Sequence, residues 1–322
     1  MRNTPDELGV IEAMVRSAGK LPRGYSKIGD DVAVVPLGAG KLVVKVDMLV
    51  EHTDVPPGMT YRQAARKAVA MCVSDFAAKG VRPDSFMVSL GLRRGVTQTD
   101  VDGLSAGFRA SEHEWKVRLV GGDTNESKEL VIDCAMVGFA KRLVPRSGAR
   151  PGDILIVTGP FGYQPSGLKV LKGSVVADAA FAKRAKSSVL DPKPDLGVGM
   201  ALAPYLTSAM DSSDGLARSI YTLARESGVG FELSMLPAGD GVSKFAAANG
   251  LDPDELVLEG GEEYVIVGTV RKSRLTDARA DVRRVGGELL EIGRATPSKG
   301  RVELVTGGMK RPVRDSGWTH LR

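Results

Sequence analysis

Apolar positions recur along the chain with two spacings, and each spacing predicts its own elements. Near the N-terminus the run LGVIEAMV has helical periodicity; Thr4 and Glu7 form a capping-box pattern around Pro5, and Gly19 marks the stop. Short β-branched runs at 32–35 (VAVV) and 41–46 (LVVKVD) read as strands parted by the turn LGAG. A long helix is predicted from Thr60 to Lys79, ending at Gly80, with Ala65, Ala68, Val69, Cys72, Val73 and Phe76 on its apolar stripe. Strands near 85–90, 117–121 and 130–139 flank a helix near 99–114. SGARPGD at 147–153 is a turn-rich break, and DILIVTG after it reads as a buried strand. Helical patterns near 196–206, 214–227 and 271–285 follow, with strands near 230–235, 263–270 and 288–292. The mixture lacks the regular alternation of a doubly wound sheet, so the expectation is an α+β protein of two domains.

The length of 322 residues agrees with two domains. Hydrophobic residues at 43% and charged residues at 26% exclude a disordered or fibrous chain. No apolar run reaches the ~18 residues of a membrane span, and Asp6 and Glu7 stand where an export signal would have its apolar core. A cytoplasmic location is therefore expected. Cys72 and Cys134 sit in apolar runs, and with His52, His113 and His320 they show no zinc-ligand spacing, so any metal is expected on oxygen ligands. The net charge of +5 arises between Arg294 and Arg322, where seven basic residues meet only Glu303 and Asp315. Without interleaved aromatics this stretch reads as a solvated tail, or one facing a small anion, and no nucleic-acid partner is expected.

Aspartates beside small residues supply the candidate chemistry. They occur in Gly29-Asp30-Asp31, at Asp47 ending LVVKV, at Ser74-Asp75 inside the long helix, in Gly121-Gly122-Asp123-Thr124, and in Asp211-Ser-Ser-Asp214-Gly215 before a helix. Each alone reads as a turn or cap residue, and Asp214 in particular as a helix cap. Asp75 breaks that pattern, because it lies near the apolar stripe of a helix interior and a buried carboxylate needs a cationic partner. Lys79, four residues on, is the local candidate; a hard divalent cation shared with the other carboxylates would serve both Asp75 and the cluster.

The runs IGDDVAVV, VDMLVE, AVAMCVSDFAAKGVRPDSFMVSLGL, GGDT, RSGARPGD, VTGPFG, MDSSDGL and GGEEY, with Trp318 near the end, resemble the thiamine-monophosphate kinase family over essentially the whole chain. That resemblance places the chain in the aminoimidazole ribonucleotide synthase-like ATP-binding superfamily, which lacks a P-loop, and this chain has no GxxxxGK[ST] run. It implies an N-terminal domain (1–148) that binds ATP and magnesium and contributes a half-barrel sheet to a homodimer. It also implies a C-terminal α/β domain (149–322) with a mixed sheet that completes the substrate site. The implied reaction is magnesium-dependent transfer of the ATP γ-phosphate to thiamine monophosphate, in line and without a general base. By the same resemblance Asp30, Asp47, Asp75, Asp123, Asp211 and Asp214 are metal positions. Asp30, Asp75 and Asp211 stand between donor and acceptor, Gly122, Asp123, Arg146 and Ser213 contact nucleotide, and Glu262 and Trp318 contact the thiamine portion.

Two positions depart from the family pattern. Many members carry Ser/Thr-Thr where this chain has Lys45-Val46, so one ion is lost or held by backbone, and Lys45 can replace part of its charge. A substrate-contacting His aligns with Asp54, with His52 two residues away. The alternatives are another ATP-dependent superfamily member and a non-catalytic nucleotide-binding regulatory dimer. Among such members, the hydrogenase-maturation dehydratase needs a C-terminal cysteine and selenophosphate synthetase an N-terminal one. This chain has neither. The run GPFGYQPSG reads equally as a phosphate-facing loop and as a plain turn after its strand.

Overall fold

The structure, a computed structural model, describes residues 6–18, 21–26, 28–173 and 175–321. The first helix, α1 (Glu7–Ala18), forms as expected, but the cap at Thr4 and Pro5 and the stop at Gly19 lie outside the described residues. Asp6 supplies a cap instead, its Oδ1 accepting from the Gly9 amide at 3.1 Å.

The first half is one sheet of β1 (Ala33–Leu37), β2 (Gly40–Val50), β3 (Pro83–Leu92), β4 (Arg118–Glu126) and β5 (Val131–Ala140), in the order β1-β2-β5-β3-β4. All pairs are antiparallel except β3 with β4. Between β2 and β3 come the single turn α2 (Glu51–Asp54) and the long helix α3 (Tyr61–Lys79); α4 (Gln98–Trp115) precedes β4. A capping box joining Thr60 and Gln63 starts α3, and Gly80, at φ +62°, ends it in the left-handed conformation that glycine adopts without strain. Asp47 and Gly121 to Thr124 were expected at strand ends, yet both lie inside longer strands, β2 and β4.

The second half carries β6 (Ile154–Val157), α5 (Tyr163–Leu171), α6 (Ala179–Leu190), α7 (Leu196–Leu202), β7 (Leu206–Asp211), α8 (Leu216–Ser227), β8 (Gly230–Leu233), α9 (Val242–Ala248), α10 (Pro253–Leu258), β9 (Ile266–Val270), α11 (Leu275–Arg284), β10 (Leu290–Thr296), β11 (Val302–Thr306) and β12 (Met309–Pro312). Its mixed sheet runs β12-β11-β8-β10-β6-β9-β7, with β11 and β8 parallel. Both faces of β6 are covered. Leu155 and Val157 join the core under α8, while Ile154 and Ile156 pack with Val198, Ala278 and Val282 of α7 and α11. The basic stretch after Arg294 is no free tail, since it forms β10 to β12 and its cations pair with Glu232, Glu303 and Asp254.

α3 is buried almost all round, which explains why its polar residues are informative. One face packs on β2 and β5, and the other meets α7 and β7 of the second half. The approach of α7 is close: a Cβ on Gly199 would lie 2.2 Å from the Ala77 carbonyl oxygen, and one on Gly80 2.1 Å from the Ala203 Cβ. The amphipathic reading of α3 was therefore half of its environment.

Candidate functional site

At this seam, three carboxylates from three elements converge. Asp31 precedes β1, Asp75 projects from α3 and Asp211 ends β7; an oxygen from each lies within 4.8 Å of the others, and all three residues are buried. Ser74, beside Asp75, donates to Asp211 Oδ2 at 2.7 Å and ties the two halves together. Burial, with repulsion from Asp31, pushes the Asp211 carboxyl up to about 6. Burial also drives Asp75 well above the usual carboxylate range, against the pull of Lys45 and with Asp211 and Asp47 adding to the rise.

Three cations stand among these acids. Lys79, fully buried, places Nζ 2.6 Å from Asp30 Oδ1, 2.7 Å from Asp31 Oδ2 and 2.9 Å from the Ala209 carbonyl oxygen. Arg146 donates from Nε to Asp31 Oδ1 at 2.6 Å, from Nη2 to the same oxygen, and from Nη1 to the Gly29 carbonyl at 2.5 Å. Burial would raise the Asp31 carboxyl, but Lys79 and Arg146 outweigh it and hold the group below its ordinary value. Lys45 of β2 sits 2.8 Å from Asp75 Oδ2 and 3.1 Å from Asp47 Oδ1. Burial lowers its ammonium pKa, yet Asp75 and Asp47 together hold it well above the usual lysine value. The partner of Asp75 is thus Lys45, not the expected Lys79. The i+4 rule describes neighbours on one helix surface, whereas both cations here are placed by tertiary packing.

The expected site residues separate into groups. Asp30, Asp47, Asp75 and Asp211 gather with Asp31, which the sequence reading passed over; the tandem Asp30-Asp31 was the available signal. Asp123 lies elsewhere. Strand register puts it in line with Ser89, Asp133 and Met48 on the open face of the first sheet, whereas Asp47 points to the face under α3. Three strand spacings, roughly 14 Å, part β4 from β2. Gly122 has a steric reason to be glycine, since a Cβ there would lie 2.1 Å from the Val88 carbonyl oxygen. Asp214 is no helix cap: Gly215 occupies that position without a side-chain bond, and Asp214 accepts the Trp318 amide at 3.0 Å through its carbonyl.

A second group lies where the β7–α8 connection meets the segment before β9. The Ser213 carbonyl accepts the Glu262 amide at 2.6 Å; Glu262 and Tyr264 hold φ values of +60° and +52°, strained for side chains of this size. Lys67 of α3, 1% exposed, reaches Glu262 Oε1 at 2.6 Å and the Asp54 carbonyl oxygen at 2.8 Å. Trp318 is 55% exposed, with its ring edge-on to His320. The Asp54 carboxylate turns back on its own helix, accepting from the Val50 amide at 2.7 Å, and His52 pairs with Glu129 at 2.9 Å. Glu263 takes the Gly162 amide at 2.5 Å and the Phe161 amide donates to the Pro237 carbonyl at 2.8 Å, so both of these GPFG amides are spent within the protein. Beside Asp30 and Arg146 opens a cavity of about 380 Å³ lined also by Tyr25, Lys41, Leu143 and Ser147.

The donor set suits a hard divalent cation. It is all oxygen, the acids at Asp75 and Asp211 are incompletely neutralised, and the buried Asp47 Oδ2 has no hydrogen-bond partner.

Residues 29–140 match the AIR synthase related protein, N-terminal domain, and residues 150–305 match the corresponding C-terminal domain. The thiamine-monophosphate kinase of Nitrosopumilus maritimus is 35% identical over 317 residues, 98% of this chain and 99% of that protein. The one from Pyrococcus horikoshii is 35% identical over 92% of this chain and 91% of that protein. Among solved structures, AaThiL complexed with AMPPCP and TMP superposes with a TM-score of 0.86 at 28% identity, covering 98% of this chain and 97% of that one. The thiamine monophosphate kinase of Aquifex aeolicus gives 0.82 at 27% identity, covering 97% and 99%. A HypE-HypF complex, at 20% identity and 0.77, shares the fold.

Proposed function

The chain belongs to the thiamine-monophosphate kinase family of AIR synthase related proteins, and on that premise we propose that it moves the γ-phosphoryl group of ATP onto thiamine monophosphate, giving thiamine diphosphate and ADP. The observation that carries this reading is the convergence of Asp31, Asp75 and Asp211 at the seam of the two halves. Asp31, Asp75 and Asp211, with Asp47 beside them, would hold magnesium, which would supply positive charge against the negative charge of the donor and acceptor phosphates.

The acceptor is a phosphate monoester with a second pKa near 6, so at neutral pH its oxygen is already a nucleophile and no residue need remove a proton. That fits a site rich in aspartate; Cys72 and Cys134 lie beside Asp47 but are buried, with the Cys72 thiol donating to the Cys134 carbonyl at 3.2 Å. The protein's task is to hold two polyanions in line. Lys79 and Arg146 fix the Asp30–Asp31 turn, and Ser74 orients Asp211 across the seam. The cavity beside Arg146 suits part of the nucleotide. Lys67 and Tyr264 hold the Glu262 carboxylate, and Trp318 offers a ring face for the cationic thiazolium.

In this proposal residues 1–148 bind ATP and magnesium and form the dimer, and residues 149–322 complete the substrate site. The open face of the first sheet supports a homodimer. Val46, Met48, Met87 and Phe139 are each about half exposed on it, an apolar area that a second copy would cover, with Asp123 on the same face. Among the described residues no helix is long and apolar enough to cross a membrane.

Incubation with ATP, magnesium and thiamine monophosphate should yield thiamine diphosphate in step with ADP. Asp75→Asn should remove nearly all turnover while the circular dichroism spectrum and dimer mass are kept. ADP without diphosphate would point to a sibling ATPase, and full turnover by Asp75→Asn would make that residue structural.

A further inference from the structure

Lys45 stands where two carboxylates of the cluster would otherwise share a cation. Its Nζ bridges Asp47 Oδ1 at 3.1 Å and Asp75 Oδ2 at 2.8 Å, and its side chain is only 20% exposed. The next residue, Val46, points the other way. It is 53% exposed on the open face, in register with Ala135 of β5 and through it with Met87 of β3, so its lack of a side-chain oxygen takes nothing from the cluster under α3. The two residues therefore act on opposite sides of the sheet.

Charge within the cluster points to a count. Once a cation is bound and all five are ionised, Asp30, Asp31, Asp47, Asp75 and Asp211 bring five negative charges; Lys45, Lys79 and Arg146, each within ion-pair distance of two of them, bring three positive ones. Two negative charges are left, which one divalent cation balances. A further divalent ion at the Asp47–Asp75 edge would lie within about 4 Å of the ammonium in a poorly solvated pocket, where like charges repel strongly. The amine is covalently tethered, its backbone lying inside β2, between β1 and β5, so it stays at high local concentration beside this edge.

Resting on the magnesium-cluster reading above, we propose that Lys45 is a built-in counter-ion for the Asp47–Asp75 edge. The nucleotide-free protein then holds a single divalent cation, at Asp31, Asp75 and Asp211, and any further ions arrive with the phosphates of the nucleotide. The corollary is specific. Replacing Lys45 by Thr removes one positive charge and adds a hydroxyl oxygen at the same edge, which opens a second hard-cation site.

The test is a titration of the nucleotide-free full chain with Mn2+, counting free ion by electron paramagnetic resonance. Wild type should bind one Mn2+ per chain, Lys45→Arg one, and Lys45→Thr two. Circular dichroism and melting curves check each variant, and if Lys45→Thr does not fold, Lys45→Gln takes its place with the same expected second ion. Two or more tight ions on wild type overturn the proposal, as does a count that stays at one in a folded neutral variant; in the latter case the magnesium-cluster reading survives. A wild-type protein that binds no Mn2+ at any attainable concentration overturns both.

Discussion

Glu263 offers a clean test of how burial competes with a helix terminus. Its carboxylate accepts the Gly162 amide at 2.5 Å and the Gln164 amide at 3.4 Å, at the start of α5, a place that favours negative charge. Burial nonetheless dominates these amide bonds and pushes the carboxyl from 4.5 up to about 8. A group that binds its proton more tightly in the folded chain loses stabilisation as pH rises. Below about 4.5 both states are protonated; between 4.5 and 8 the unfolded chain ionises while the folded one does not, so stability declines through this window and levels off above it. The full difference corresponds to about 4–5 kcal/mol. The residue keeps some exposure around its enclosed carboxyl, so about 3 kcal/mol is the working figure. Glu263→Gln retains a carbonyl acceptor for the Gly162 amide but cannot ionise. It should match wild type at pH 5 and exceed it at pH 8.5, raising the melting midpoint by about 4 °C for a chain of this length. Calorimetry of both proteins across pH 5 to 9 reads the difference and cancels other titrating groups. A variant less stable than wild type at pH 8.5 would show that the α5 amides outweigh burial and keep Glu263 ionised.

Two further outcomes follow from the site. Trp318→Ala should raise the Michaelis constant for thiamine monophosphate about two- to five-fold, the worth of an exposed cation–π contact, and leave that for ATP unchanged. Because the ring is 55% exposed and the Trp318 amide bond to Asp214 survives truncation, the melting midpoint should move little, and a large drop would identify a tail anchor instead. Lys79→Met should cost about 3–5 kcal/mol in denaturant unfolding, since it leaves Asp30 and Asp31 without their buried cation. Added magnesium should restore part of that loss, and a variant as stable as wild type would mean that Arg146 alone compensates the pair.

What was legible in the sequence were features that act locally. Thr60 and Gly80 bound α3 as expected because caps operate within a few residues, and the apolar run DILIVTG became β6 because both of its faces are covered. The short helices α5, α9 and α10 carry too few turns to show a period, and β11 and β12 were read as tail because their cations find partners only after folding. The cluster was legible as a set of aspartates but not as a geometry. Whether Asp30 or Asp31 points inward depends on one turn, and the choice of Lys45 over Lys79 for Asp75 depends on the register of β2 beneath α3. The split of Asp47 from Asp123 onto opposite faces follows from strand alternation, which becomes visible only once both are known to lie inside strands.

The glycine contacts between α3 and α7 bear on how the site opens. Where Gly199 lies against the Ala77 backbone and Gly80 against the Ala203 methyl, rotation of one half against the other would drive α7 into α3, and little compressible material lies between them to absorb it. Lys79 and Ser74 add polar links across the same line, to the Ala209 carbonyl and to Asp211. Among the described residues these contacts brace the seam against rotation and hold Asp75 and Asp211 together across it. Entry and exit of the reactants then fall to the periphery, to the C-terminal run around the exposed Trp318, so turnover should respond to substitutions there and be indifferent to cross-links between the halves.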